Sequence, residues 1–216
     1  MPHSRFYKLE IEKKNLIIRT ALTEFSSKDF DQASINQISK KAGLSAGNLY
    51  YYFENKEDLY MTVVEFVMNE LSMELGDFSS ALHEGPFWEN IKFWVLKRLK
   101  LSLRDKEVGY FINKLFEYNT SKEINAIELK FKENIRNQFR EIFNLGVEKG
   151  AIRSDLPLDF LYTMHLNLVL TTNQWIAANW DQFESDDIES KEVKEFVDTA
   201  IELIQSAMQP AIQAVE

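Results

Sequence analysis

Residues 34–59 read SINQISKKAGLSAGNLYYYFENKEDL, and the order of caps and apolar positions in this stretch decides the fold. Ser34 followed by Gln37 has the S-x-x-Q form of a capping box and predicts a helix start. Ile35, Ile38 and Ala42 then recur at helical spacing, which gives this first helix one apolar face. Gly43 follows the last periodic residue, where a left-handed cap suits glycine best. Leu44 seals the turn, and Ser45 is placed to cap a second, very short helix running through Phe53. Two helices joined so tightly, with Ala42 small enough for close crossing, match a DNA-reading helix-turn-helix.

The second helix indicates which side faces outward. Leu49 and Phe53 lie four apart and point inward, so Tyr50 and Tyr51 are rotated off the core face. Exposed rings that carry hydroxyls suit phosphate oxygens. Gly47, in the first turn, costs roughly 1 kcal/mol of helix propensity relative to alanine, and close backbone approach to a nucleic-acid strand would compensate. Lys56 sits in Asn55-Lys56-Glu57-Asp58, the first turn of the next helix. The acids there suit the helix dipole and the lysine does not, so it is read as aimed at phosphate. The same pattern also fits a helical protein that never meets DNA, its tyrosines packed on the first helix.

A longer run of positions carries a family resemblance. Ile17, Ala21, Phe25, Phe30, Ile35, Ile38, Ala42-Gly43-Leu44-Ser45, Gly47, Leu49-Tyr50, Tyr52-Phe53, Lys56 and Leu59 resemble, without gaps, the N-terminal domain of the tetracycline-repressor (TetR) family. Gly47-Asn48-Leu49-Tyr50-Tyr51 is similar to the form in multidrug-binding repressors of that family. Three positions depart: Asp29 stands where glycine is usual, Ala33 where threonine is common, and Ala46 where lysine or arginine often touches DNA. Aspartate tolerates a left-handed conformation better than most residues. The resemblance implies an all-α protein of about nine helices, with a three-helix helix-turn-helix domain at 1–54 and a helical effector-binding and dimerisation domain at 55–216. It implies a homodimer on a palindromic double-stranded operator, and an effector that moves the helix at 55–75. The DNA-contact candidates are Ser34, Ser45, Ala46, Gly47, Asn48, Tyr50, Tyr51 and Lys56, with Asn48 the one suited to base reading.

Composition supports this and excludes other classes. The chain has 216 residues, no cysteine and a formal net charge of −9. Disulfides and thiolate metal sites are therefore impossible, and a reducing cytoplasm is the expected location. No stretch approaches the roughly 20 apolar residues that cross a bilayer, and MPHSRFYKLE lacks a signal-peptide core, so no membrane partner is expected. Residues 1–60 carry nine Lys/Arg against eight Asp/Glu, whereas 61–216 carry 16 against 26. The neutral end keeps Lys8, Lys13, Lys14, Lys40, Lys41 and Lys56 for phosphates, while the acidic remainder chiefly serves solubility.

Past residue 60 breakers are sparse, and helices are expected at 55–75, 86–103, 106–119, 121–149, 157–180 and 189–208, with an acidic loop at 181–187. In the last, Val193, Val197, Ala200, Ile201, Ile204 and Met208 form an apolar stripe, matched by Leu168, Thr172 and Trp175 in its partner. One such face covers the protein's own core; a second would pair two subunits in a four-helix bundle. Leu168, Thr172, Trp175, Val193, Val197, Ile201, Ile204 and Met208 are the interface candidates, unless one protomer consumes both faces.

The middle of the chain is rich in aromatics, as effector pockets are. Trp94, Phe111, Phe116, Glu117, Tyr162, His165 and Trp175 are the effector candidates, although helical spacing alone makes most of them ordinary core. Glu117 among aromatics favours a cationic lipophile, and an acyl ligand fits equally. The three histidines, His3, His83 and His165, show no H-E-x-x-H spacing. There is no G-x-S-x-G elbow, glycine-rich phosphate loop or cysteine nucleophile, so neither cofactor, metal nor enzymatic activity is expected. The alternative to a regulator is a helical small-molecule binding protein without DNA affinity.

Overall fold

Side-chain caps set the boundaries of the early helices. The structure, a computed structural model, describes residues 2–76, 78–116, 126–179 and 190–210. Among these it forms α1 (Ser4–Tyr7), α2 (Ile11–Ser27), α3 (Ile35–Lys41), α4 (Ala46–Tyr50), α5 (Lys56–Leu75), α6 (Phe78–Glu84), α7 (Phe87–Arg104), α8 (Lys106–Phe116), α9 (Ala126–Glu148), α10 (Leu158–Ala178) and α11 (Lys191–Met208), with no strand. The all-α class is as expected. The two helices absent from the sequence reading, α1 and α6, are short. The expected acidic loop at 181–187 lies outside the described residues.

Ser34 and Ser45 cap α3 and α4, their hydroxyls accepting from the Gln37 and Asn48 backbone N–H at 3.3 and 3.2 Å. The second arm of the α3 cap comes from elsewhere: the Ser34 N–H donates to Glu24 Oε1 at 3.1 Å, from α2. Asn55 caps α5 by accepting from the Asp58 N–H at 2.8 Å, and Asp58 Oδ2 accepts from the Glu54 N–H at 3.2 Å. Gly43 closes α3 at φ +65°, with its N–H on the Lys40 carbonyl (3.2 Å) and the Leu44 N–H on the Ser39 carbonyl (2.8 Å). That is a Schellman cap, and the left-handed residue it needs favours glycine.

The chain divides into two compact units: residues 1–74 with 104–114, and residues 75–103 with 115–216. The first unit extends past residue 54 because α5 and α8 complete its core. Phe25 on α2 lies 5.1 Å, centroid to centroid, from Tyr60 on α5, which lies 5.6 Å from Phe111 on α8. Asp105 pairs with Arg19, and Glu107 accepts from the Thr23 hydroxyl at 2.8 Å. Lys114 donates to the Phe25 carbonyl at 3.2 Å and to that of Lys28. The end of α2 has no basic residue of its own, so α8 supplies the cation its last carbonyls attract.

In the second unit α9 packs on α10, and α10 on α11. Val193, Val197, Ile201, Ile204 and Met208 are each at most 4 % exposed. This corrects their expected place at a subunit interface: the stripe fills the protomer's own core. The Met208 carbonyl there accepts from the Arg153 N–H at 2.7 Å. Among the described residues the exposed large apolar side chains of this pair are Phe160, Leu168 and Trp175 on α10 and Leu203 on α11. Trp175 stacks on Phe196 with centroids 5.0 Å apart. Thr172 is half-buried beside them and bonds back to the Leu168 carbonyl at 2.8 Å.

Candidate nucleic-acid interface

Helix α4 is one turn and a half long, and its orientation is fixed by two anchors. Leu49 and Phe53 are each 1 % exposed, whereas Tyr50 and Tyr51 are 50 % and 51 % exposed. The inward and outward assignment made from spacing therefore holds. Helix α4 ends earlier than expected, at Tyr50, and Tyr51 serves as its C-cap. Asn48 and Gly47 are exposed, and Ala46 is half-buried. A β-carbon at Gly47 would meet only the Ser45 hydroxyl, 4.0 Å away. Nothing inside the protein therefore requires glycine there.

The supporting elements are tied beneath this surface. Helices α2, α3 and α4 pack in sequence, and Lys13 on α2 donates to the Ala42 carbonyl at 3.0 Å, holding the turn. Glu24 is buried, which pushes its carboxyl upward, but hydrogen bonds from Lys28 (2.6 Å) and the Ser34 N–H (3.1 Å) outweigh burial and hold it below the usual range. Lys56 differs most from its sequence reading. Its ammonium donates to the Asp31 and Ala33 carbonyls at 3.2 Å each and lies 4.6 Å from the Phe30 ring centroid. It closes the α2–α3 loop, a role its place in a first helical turn gives no sign of. Lys8, Lys40 and Lys41 remain exposed.

The effector candidates do not gather at one place. Phe111 is fully buried in the first unit against Tyr60, which removes it from the set. Glu117 and the side chain of Phe116 lie outside the described residues. Trp175 is 44 % exposed on the Phe196 stack. Trp94, Tyr162 and His165 do join, through Phe139 and Phe143, in a chain of ring contacts 5.3–5.9 Å between centroids.

Sequence reading missed a cation in this interior. Arg98 is 0 % exposed, with its guanidinium carbon 6.0 Å from the Trp94 centroid. Burial lowers its pKa to about 10, which leaves it charged at neutral pH, and Tyr162 partly offsets that fall. Burial, with Arg98 adding to it, lowers His165 to about 4, so the imidazole is neutral. Burial raises the Tyr162 phenol, against the pull of Arg136 and Arg98. The signal for Arg98 was present: it falls on the Ile91, Trp94, Val95, Leu99 apolar stripe, where a solvated arginine has no reason to be. Among the described residues no three His, Asp or Glu side chains converge as metal ligands, and no helix is long and apolar enough to cross a membrane.

Comparison with known proteins gives a consistent picture. Residues 17–62 match the family described as bacterial regulatory proteins, tetR family. The chain is similar to the HTH-type transcriptional repressor KstR2 of Mycolicibacterium smegmatis, 21 % identical over 170 residues that cover 78 % of each protein. Its fold matches a TetR family transcriptional regulator from Chloroflexus aurantiacus with a TM-score of 0.69 at 19 % identity, over 97 % of this chain and 99 % of that one. It also matches the transcriptional regulator FadR from Bacillus subtilis, solved in complex with stearoyl-CoA, with a TM-score of 0.61 at 18 % identity over 90 % and 98 %.

Proposed function

Because the chain belongs to the tetR family of bacterial regulatory proteins, we propose that it is a dimeric, ligand-responsive repressor acting in the cytoplasm on a palindromic operator. The observation that carries this reading is the outward face of α4, where Asn48, Tyr50 and Tyr51 stand exposed over the buried Leu49 and Phe53. Paired copies of α4 would enter successive major grooves about 34–36 Å apart. Asn48 reads a base edge, and Tyr50, Tyr51, Ser34 and Ser45 set position on phosphates. Gly47, free of internal neighbours, and Ala46 let the strand approach the backbone. Two N–H groups of Lys56 are taken by carbonyls, which leaves the third for a phosphate oxygen. Dimerisation uses Leu168, Thr172 and Trp175 of α10, with Phe196 and Leu203 of α11 beside them.

The effector is a lipophilic small molecule taken up in the second unit, among Trp94, Phe139, Phe143, Tyr162 and His165. Support comes from that aromatic interior and from the stearoyl-CoA bound by the Bacillus subtilis regulator. Ligand binding must favour the DNA-incompetent state, and the coupling must be reciprocal. The chain passes between the units at 74/75, 103/104 and 114/115, so α5 and both ends of the Arg104–Lys114 segment are covalent routes for that signal.

A duplex enriched from a random pool by the wild-type protein tests the reading. Asn48→Ala is expected to cost about 1–3 kcal/mol, roughly 5- to 150-fold in affinity, with lost discrimination at one position per half-site. Tyr50→Phe and Lys56→Ala should weaken all sequences alike. Failure of the wild type to enrich any duplex, or an Asn48→Ala protein with unchanged affinity and preference, contradicts the proposal.

A further inference from the structure

The helix-turn-helix surface does not stop at α4. Residues 2–8 fold back on it, and three contacts hold them there. Pro2 is buried, and the His3 N–H donates to the Tyr52 carbonyl at 2.9 Å, just past the end of α4. Phe6 is 3 % exposed, with its ring centroid 4.9 Å from that of Phe53, the anchor that turns α4 outward. Helix α1 is the single turn that follows His3 and carries Phe6 on its buried side. Arg5 projects from it with its guanidinium carbon 4.3 Å from the centroid of the Tyr51 ring.

That placement brings a cation to a surface whose own recognition helix has none. Residues 46–50, Ala-Gly-Asn-Leu-Tyr, carry no charge. Arg5 is exposed and makes no ion pair with an Asp or Glu among the described residues. A guanidinium stacked on a ring through its face keeps its N–H edge free to donate in-plane to an oxyanion. The ring in turn limits the rotamers the arginine must give up on binding, and reduces the ordering cost.

We propose that residues 2–8 are an accessory DNA-binding element in which Arg5, positioned by Tyr51, donates to a backbone phosphate beside the half-site read by α4. The inference rests on the operator-binding reading above and adds a contact outside the helix-turn-helix. It assigns Tyr51 a second role as the platform for that cation. Phe6 and the His3 N–H fix the element to the body, so the contact is built in rather than recruited from a loose tail.

The test is the salt dependence of binding to the duplex selected by the wild-type protein, with intact Arg5→Ala and Arg5→Lys proteins. Each phosphate neutralised contributes about 0.9 to the slope of log affinity against log salt. Loss of one contact from each subunit of a dimer should therefore reduce that slope by about two, and lower affinity roughly tenfold or more at 0.15 M salt. Arg5→Lys should keep most of the slope because it keeps the charge. Thermal melting should be unchanged in both, since the side chain is exposed. An unchanged slope and affinity in Arg5→Ala, with Asn48→Ala still weakened, overturns the inference and leaves operator binding intact. Equal losses in Arg5→Ala and Arg5→Lys with no change of slope also overturn it, because Arg5 then only props Tyr51. A wild-type protein that selects no duplex removes the operator reading and this one together.

Discussion

Phe25→Ala is expected to lower the stability of the first unit by about 3–5 kcal/mol. Phe25 is fully buried, and its ring lies 6.2 Å from Phe30 and 5.1 Å from Tyr60, which is itself 5.2 Å from Phe30. Tyr60 passes the packing on to Phe111 of α8. Truncation would remove the ring at which α2, the loop after it and α5 converge, and leave a cavity that neighbours fixed on three sides cannot fill by small shifts. The carbonyl of Phe25 is one of those held by Lys114, so the backbone is further tethered against collapse. Trp88, Trp94 and Trp175 lie in the second unit, and residues 1–74 and 104–114 of the first contain no tryptophan. Urea unfolding followed by far-UV circular dichroism should therefore shift more in the variant than the same unfolding followed by tryptophan fluorescence, and operator affinity should fall with the ellipticity. A loss below about 1 kcal/mol would mean the aromatic core does not unify the first unit.

That core shows where sequence reading stops. The helix-turn-helix was legible because its determinants are local: Ser34 and Ser45 cap within three residues, Gly43 meets one turn's geometry, and Leu49 with Phe53 fixes which way the tyrosines face. Glu24 and Lys56 were not, because their partners are 10, 23 and 25 residues away and depend on how helices pack. Helix α8 has an ordinary amphipathic sequence. Only the fold shows that Asp105, Glu107 and Lys114 reach back to α2 and draw it into the first unit. The α11 stripe illustrates a different limit. Periodicity shows that a face is buried, but a protomer's own core and a twin subunit ask for the same side chains. Helix α1 escaped notice because four residues carry no period, yet a buried Phe6 and one backbone hydrogen bond are enough to place it. Arg98 was visible as a charge on an apolar stripe; what could not be read was that its surroundings include an imidazole.

That imidazole should make the second unit acid-sensitive. His165 is 3 % exposed against the Phe143 ring, and its Nδ1 has no hydrogen-bond partner among the described residues. Burial holds its pKa at about 4, with the Arg98 charge acting in the same direction. In the unfolded chain the group titrates near the ordinary value of about 6.5. The folded pKa is therefore the lower one, and between these two values the unfolded chain binds a proton that the folded chain refuses. Above about pH 6.5 neither state carries the charge, so no stability is lost there. As pH falls from about 6.5 to 4, stability should decline by up to about 1.4 kcal/mol per unit, for a total of roughly 3 kcal/mol. Carboxylates such as Glu24, held below its usual range, add a separate loss that begins lower, as pH falls below the ordinary carboxylate value. The comparison that isolates the histidine is wild type against His165→Gln, with urea midpoints followed by tryptophan fluorescence at intervals from pH 8 to 4.5. The two should differ by a constant above about pH 7, and the wild type should lose ground as the solution is acidified. Curves that stay parallel throughout would mean that His165 is protonated as readily folded as unfolded. The interior around Arg98 would then be open to water, and the enclosed aromatic site proposed for a lipophilic effector would have no dry wall on that side.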